Sequence, residues 1–133
     1  MIVDTSAIVA ILKEEPDGLV LSKAMDSADI LCMSAASYLE TSIVVDSLKN
    51  PSLSRRIDEI VEKFDIVIEP VTVAQARIAR QAYRDYGKGS GHAANLNFGD
   101  CFSYALAREK REPLLFKGDD FIHTDLRPAL RQP

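Results

Sequence analysis

Met1-Ile2-Val3-Asp4-Thr5-Ser6 opens the chain. Two β-branched apolar residues ahead of a carboxylate and two hydroxyls read as a very short buried strand that runs into a turn. In open α/β sheets, ligands bind in the crevice beyond the carboxyl ends of parallel strands. Asp4 stands at such an end, with Thr5 and Ser6 leading into the next helix. Asp, Ser and Thr are also ordinary helix caps, whose oxygens accept hydrogen bonds from first-turn amides. Taken alone, Asp4 reads first as a cap, because such caps are frequent, and second as a site carboxylate.

Working outward, strands and helices alternate. Residues 5–14 read as a helix with Ile8, Val9, Ile11 and Leu12 apolar, ended by Pro16. A second helix runs to about Met25, with Leu19, Val20 and Leu21 expected inside. Ile30-Leu31-Cys32-Met33 is the second strand, and Ser34 caps a helix in which Ala36, Leu39, Ile43, Val44, Ser47 and Leu48 recur at helical spacing. Residues 53–64 form a further helix and Ile66-Val67-Ile68 the third strand. Thr72 caps a helix to Tyr86 whose inner face is read as Val73, Ala76, Ala79 and Tyr83. Leu114-Leu115-Phe116 is the fourth strand, and the polar tail, Arg127 to Pro133, predicts no element. The alternation predicts one α/β domain over 1–133: a parallel four- to five-stranded sheet with helices on both faces.

A chain of 133 residues can bury one core, and 47% hydrophobic with 27% charged residues fits a globular domain. A net charge of -4 argues against a nonspecific nucleic-acid binder, which is usually basic, but not against a nuclease whose acids hold metal. No apolar run approaches the roughly 20 residues of a membrane span, and no signal peptide is recognisable, so a cytoplasmic location is expected. Cys32 and Cys101 show no CxxC spacing and read as small core residues of a reducing compartment. Gly87-Lys88-Gly89-Ser90-Gly91-His92 reads as a flexible loop. Its glycines follow a helix, whereas a phosphate-binding P-loop lies between a strand and a helix, so nucleotide binding is excluded.

Four acids share a placement. Asp4 follows the first strand, Glu40 falls within the stripe of the third helix, Asp100 lies in the first turn of a helix, and Asp119 follows the fourth strand. Each has a structural reading: a cap, an edge position, a charge at the positive helix end, a turn residue. A lone buried carboxylate is costly unless paired, protonated or metal-bound. Clustered carboxylates repel, so a shared site needs cations, and hard oxygen ligands suit Mg²⁺ or Mn²⁺. Such ions activate water and stabilise in-line displacement at a phosphodiester.

The stretches Ile2-Val3-Asp4-Thr5-Ser6-Ala7, Ser37-x-x-Glu40, Phe98-Gly99-Asp100-Cys101-Phe102-Ser103-Tyr104-Ala105-Leu106-Ala107 and Pro113-Leu114-Leu115-Phe116-Lys117-Gly118-Asp119-Asp120-Phe121 together resemble PIN-domain proteins. Within them the chain resembles the VapC toxins of bacterial and archaeal toxin–antitoxin pairs. The resemblance implies a Mg²⁺- or Mn²⁺-dependent endoribonuclease, a homodimer, and a VapB antitoxin whose tail enters the active-site groove. By position it makes Asp4 and Asp100 the main metal ligands, with Glu40 as ligand or as orienter of the attacking water. Many PIN domains carry Thr-x-Asp after the fourth strand; here Lys117-Gly118-Asp119-Asp120 stands there, and Asp119 is chosen over Asp120 as the fourth acid. Thr5 or Ser6 is expected to hydrogen-bond the carboxylates, and Arg80, Arg84, Lys88, His92 and Lys117 to contact RNA. The early helices, through Ile8, Ile11, Leu12, Leu19 and Leu21, are expected to offer apolar area to the antitoxin.

Two other classes compete. One is another Mg²⁺-dependent phosphohydrolase using Asp4 as nucleophile. A haloacid-dehalogenase-like site would want a second Asp where Ser6 stands, and a receiver domain would want an acidic pair before Asp4. The other is a non-catalytic binding module in which the acids serve only as caps.

Overall fold

The computed structural model describes residues 1–131; the last two residues of the polar tail lie outside the described residues. The elements run β1 (Ile2–Val3), α1 (Thr5–Leu12), α2 (Gly18–Asp26), β2 (Cys32–Ser34), α3 (Ala35–Asp46), α4 (Pro51–Lys63), β3 (Val67–Glu69), α5 (Val73–Tyr86), α6 (Asp100–Lys110) and β4 (Leu114–Leu115), then a 3-10 turn at Phe121–His123. All strand pairings are parallel, in the order β3-β2-β1-β4. The chain steps outward from β1 to β3 and then returns to the other side of β1. The reversal therefore lies between β1 and β4, and a crevice opens at the carboxyl end of such a switch.

β1 is short but completely buried: Ile2 and Val3 have no exposed surface, and neither do Leu114 and Leu115 beyond 1%. Ile2 packs with Leu96, Leu106, Leu114 and Phe116 on one side of the sheet. Val3 packs with Ile8, Leu21, Met33 and Ile57 on the other. This is the two-sided burial that a parallel sheet needs. The tail does more than its polarity suggests. Leu114 N donates to Arg127 O at 3.0 Å and Ala129 N to Leu114 O at 2.8 Å, so residues 127–129 line the outer edge of β4.

Caps fall where expected. Ser34 Oγ accepts from Ala36 N and Thr72 Oγ1 from Gln75 N. The facing of three helices differs from expectation. In α3 the inner residues are Ser37, Thr41 and Val45, while Leu39, Ile43, Val44 and Leu48 are exposed. In α2 only Leu21 of the Leu19-Val20-Leu21 run is buried. In α5 the inner face is Gln75, Ala79 and Ala82, and Val73 and Tyr83 are exposed. For α3 the reason is visible: Thr41 Oγ1 turns inward to donate to Ser37 O, which also accepts from Thr5 Oγ1 of α1, and Ser37 Oγ turns inward to Ser103 of α6, which leaves the apolar stripe outside. The glycine-rich loop after α5 is also anchored. Gly87 pairs with Leu96, and Ala94 and Leu96 are fully buried beneath it.

Candidate active site

Asp4, Glu40, Asp100 and Asp120 line one cleft of about 520 Å³. It lies at the carboxyl ends of β1 and β4, with Thr5, Ser6, Glu15, Asn97 and Lys117 also in its walls. Each acid arrives on a different element, so the fold brings together residues far apart in sequence.

Asp4 is 3% exposed and acts as both a cap and a site carboxylate. Its Oδ2 accepts from Ser6 N at 3.0 Å, capping α1, and from Ser6 Oγ at 2.6 Å. Its Oδ1 accepts from Ser103 Oγ at 2.5 Å. Ser6 Oγ in turn accepts from Lys117 N at 3.0 Å, which ties the end of β1 to the loop after β4. Thr5 does not bond Asp4; its hydroxyl donates to Ser37 O at 3.1 Å.

Glu40 lies at the edge of α3 rather than within a buried apolar stripe. The backbone of Gly99 sits directly over it. A Cβ at Gly99 would meet Glu40 Oε2 at 1.8 Å. Burial pushes the Glu40 carboxyl up from the ordinary carboxylate range and the charge of Asp4 adds to it, while the nearby Thr5 hydroxyl pulls the other way.

Asp100 and Asn97 form a reciprocal pair. Asp100 N donates to Asn97 Oδ1 at 2.9 Å, and Asn97 N donates to Asp100 Oδ2 at 3.0 Å. This is the capping-box arrangement, with an aspartate in the third position. It fixes the start of α6 and the carboxylate together. Burial pushes the Asp100 carboxyl up to about 7; the Asn97 amide opposes this, and Asp4, Asp120 and Glu40 reinforce it. Such a shift marks a buried cleft carboxylate that has other acids near it.

The fourth acid in the cleft is Asp120; Asp119 is not among the lining residues. Gly118, at φ +101°, turns the chain sharply after β4, and Asp120 then leads into the 3-10 turn. The facing of the two neighbours is thus set by a turn of one residue.

Of the residues expected to meet RNA, Lys117 lines the cleft. Its ammonium pairs with Glu15 and, at 3.1 Å, with Asp17. Arg80, Arg84, Lys88 and His92 do not line it. His92 instead holds its own loop. Its Nδ1 accepts from Ala94 N at 3.1 Å, and its ring stands edge-on to Tyr86, 4.9 Å between centroids.

Several site residues were not singled out from sequence. Asn97 had a readable signal, the Asn-x-x-Asp spacing of a capping box. Ser37 and Thr41 sit four apart on α3, a helical face of hydroxyls. Ser103 carried no signal beyond its place in α6.

The arrangement suits hard-cation chemistry, because the convergent side chains are carboxylates and hydroxyls. Among the described residues no three acidic, histidine or cysteine side chains converge tightly enough to hold an ion as they stand. Asp4 and Asp100 are held instead by amide and hydroxyl donors at the edge of the shared opening.

A PIN domain family model matches residues 1–126. The chain is 58% identical to ribonuclease VapC28 of Mycobacterium tuberculosis over 130 residues, 98% of each chain. Its fold is similar to the crystal structure of M. tuberculosis VapC20, a sarcin-ricin loop cleaving toxin, with a TM-score of 0.74 at 17% identity over 94% of this chain and 95% of that one. It is also similar to a chain of a toxin-antitoxin complex from Klebsiella pneumoniae, with a TM-score of 0.67 at 14% identity over 90% and 88%. With a parallel sheet whose strand order reverses beside Asp4, with Asp4, Glu40, Asp100 and Asp120 in the resulting crevice, and with this near-full-length relationship, the chain belongs to the PIN-domain family, among its VapC ribonucleases.

Proposed function

We propose that the cleft of Asp4, Glu40, Asp100 and Asp120 is the catalytic centre of this endoribonuclease toxin and takes Mg²⁺ or Mn²⁺. The observation that carries this reading is the convergence of Asp4, Glu40, Asp100 and Asp120, from four elements, on one opening at the sheet's switch point. The donor set is all oxygen, and the raised proton affinity of Asp100 is relieved by a nearby cation. Asp4, Asp100 and Asp120 would hold the ion. When bound, it supplies charge stabilisation at the phosphodiester and activation of water. Glu40, beneath the Gly99 backbone, orients the attacking water and takes its proton. Ser6 and the Lys117 amide hold Asp4 and the β4 loop in register. Lys117 contributes, among the described residues, the one cationic side chain lining the opening, toward substrate phosphate.

The partner is a VapB-type antitoxin. The exposed apolar face of α3, Leu39, Ile43, Val44 and Leu48, supports this, since Val44 also lines the acid cleft and makes the two surfaces continuous. Ile8, Leu12 and Leu21, expected on sequence to serve this role, are buried, and Leu19 alone of that set is exposed. The toxin-antitoxin complex from Klebsiella pneumoniae, similar in fold, is in keeping with such a partner. A homodimer and a cytoplasmic site of action complete the reading; Cys32 and Cys101 are both buried and free, and among the described residues no helix is long and apolar enough to cross a membrane.

The test is to incubate antitoxin-free protein with mixed RNA in Mg²⁺, Mn²⁺ or EDTA, alongside Asp4→Asn and Asp100→Asn. Cleavage that requires metal and disappears in both variants is the expected result. Intact RNA in every lane, with no metal binding by calorimetry, would leave the acids as caps and the protein as a binding module.

A further inference from the structure

Beneath the cleft lies a chain of buried hydroxyls that the proposed reaction does not use. Ser103 is completely buried on α6, and Ser37 on α3 is 1% exposed. Their oxygens are 3.1 Å apart, and Ser103 Oγ lies 2.5 Å from Asp4 Oδ1. Donor directions follow from chemistry. An ionised carboxylate only accepts, so Ser103 donates to Asp4. Its single proton is then spent, and Ser37 must donate to Ser103. The backbone of Ser37 is itself fixed by two side chains: its carbonyl accepts from Thr41 Oγ1 at 2.7 Å and from Thr5 Oγ1 at 3.1 Å.

This order decides how much of Asp4 is open. Each carboxylate oxygen has about two acceptor sites. Ser6 fills both on Oδ2, through its amide and its hydroxyl. Ser103 takes one of the two on Oδ1. A single acceptor site on Asp4 is left for the cleft.

We propose that Ser103, oriented by Ser37, is a positioning residue that holds Asp4 with one oxygen site presented to a divalent cation. The proposal rests on the reading of Asp4 as a cation ligand. A buried hydroxyl kept only for packing would not require this donor order, and α6 places an apolar residue at the equally buried Leu106. Outer-shell partners of metal ligands typically change metal affinity about 10- to 100-fold when removed.

Calorimetric titration of Mn²⁺ into the full chain tests this without any cleavage assay. The set is wild type, Ser103→Ala, Ser37→Ala, the double variant and Asp4→Asn, with folding checked by circular dichroism. Ser103→Ala is expected to weaken Mn²⁺ binding at least tenfold, and Ser37→Ala to weaken it less. The double variant should bind no worse than Ser103→Ala, because a relay has nothing to orient once its last member is gone. Additive losses would overturn the relay. Binding by folded Ser103→Ala within twofold of wild type, with Asp4→Asn impaired, would overturn the positioning role while keeping Asp4 as ligand. Unchanged binding in Asp4→Asn would overturn both. Should Ser103→Ala not fold, Ser37→Ala decides alone: unchanged Mn²⁺ affinity there would refute the relay.

Discussion

Gly99→Ala should disarm the site without touching a charged residue. Gly99 has φ -63° and ψ -40°, which alanine adopts freely, so the backbone raises no objection. The obstacle is Glu40. The added Cβ would lie 1.8 Å from Oε2, 2.6 Å from Cδ and 2.9 Å from Oε1. Real Cβ atoms essentially never come closer than 3.0 Å, so going from 1.8 to 3.0 Å moves the carboxylate by at least 1.2 Å. It can move, because it ends a flexible side chain at the mouth of a cleft. An off-rotamer adjustment costs roughly 0.5–1.5 kcal/mol, and Gly to Ala where the backbone conformation suits both returns about 0.4–1 kcal/mol. The two nearly offset, and melting should stay within a few degrees of wild type. Activity should not. A displacement of about 1 Å in a catalytic group can cost on the order of 10²-fold. The assay is Mn²⁺-dependent cleavage of a fluorescent RNA by antitoxin-free protein, with Glu40→Gln and the double variant as a cycle. Gly99→Ala should lose about 100-fold in kcat and add little in the Glu40→Gln background. Cleavage within threefold of wild type by the folded variant would refute the role given to Glu40 and its glycine roof.

Other expectations test other parts of the molecule. With EDTA present, the raised Asp100 carboxyl should make the metal-free protein lose stability as pH rises. A folded-state value of about 7 above the ordinary 3.8 gives stability fully present below about pH 4 and lost as pH approaches 7. Thermal melts of Asp100→Asn should lack that decline, and parallel curves for the two proteins would contradict the burial assigned to Asp100. Ile43→Asp, on the exposed face of α3, should leave the melting temperature unchanged and weaken antitoxin capture at least tenfold in a pull-down titration; intact capture would move the docking surface elsewhere. Leu106→Ala, in the core beside Ile2 and Leu114, should cost about 2–5 kcal/mol in urea unfolding; a cost below 1 kcal/mol would mean that the α6 side of the sheet is loosely packed.

Much of this was legible in sequence. Ile2-Val3, Cys32-Met33 and Leu114-Leu115 announce buried parallel strands because burial on both faces demands continuous apolar runs. Asp4, Glu40 and Asp100 are legible because carboxylates stand out where apolar residues or caps are expected. The facing of α3 was not legible, since amphipathic reading assigns the apolar stripe to the core. Here Ser37 and Thr41 face inward because the interior is polar beneath Asp4, and Ile43 faces outward. The choice between Asp119 and Asp120 hangs on the left-handed turn at Gly118, a dihedral that composition does not report. Arg80 and Arg84 stand on α5, and whether that helix brings them to the acids depends on where it packs, which the sequence does not report.

The hydrogen bond from Lys117 N to Ser6 Oγ joins residues 111 positions apart. Asp4 is made well before the strand beside it: β1 has no β4 to pair with, and Ser6 no bond from Lys117, until Leu114 to Lys117 have been added. Asp120 arrives later still. A growing chain therefore carries Asp4 while more than a hundred residues are added before the wall opposite it exists. For an enzyme that attacks RNA, this ordering keeps the acid cleft unassembled until the residues that follow β4 have joined the chain.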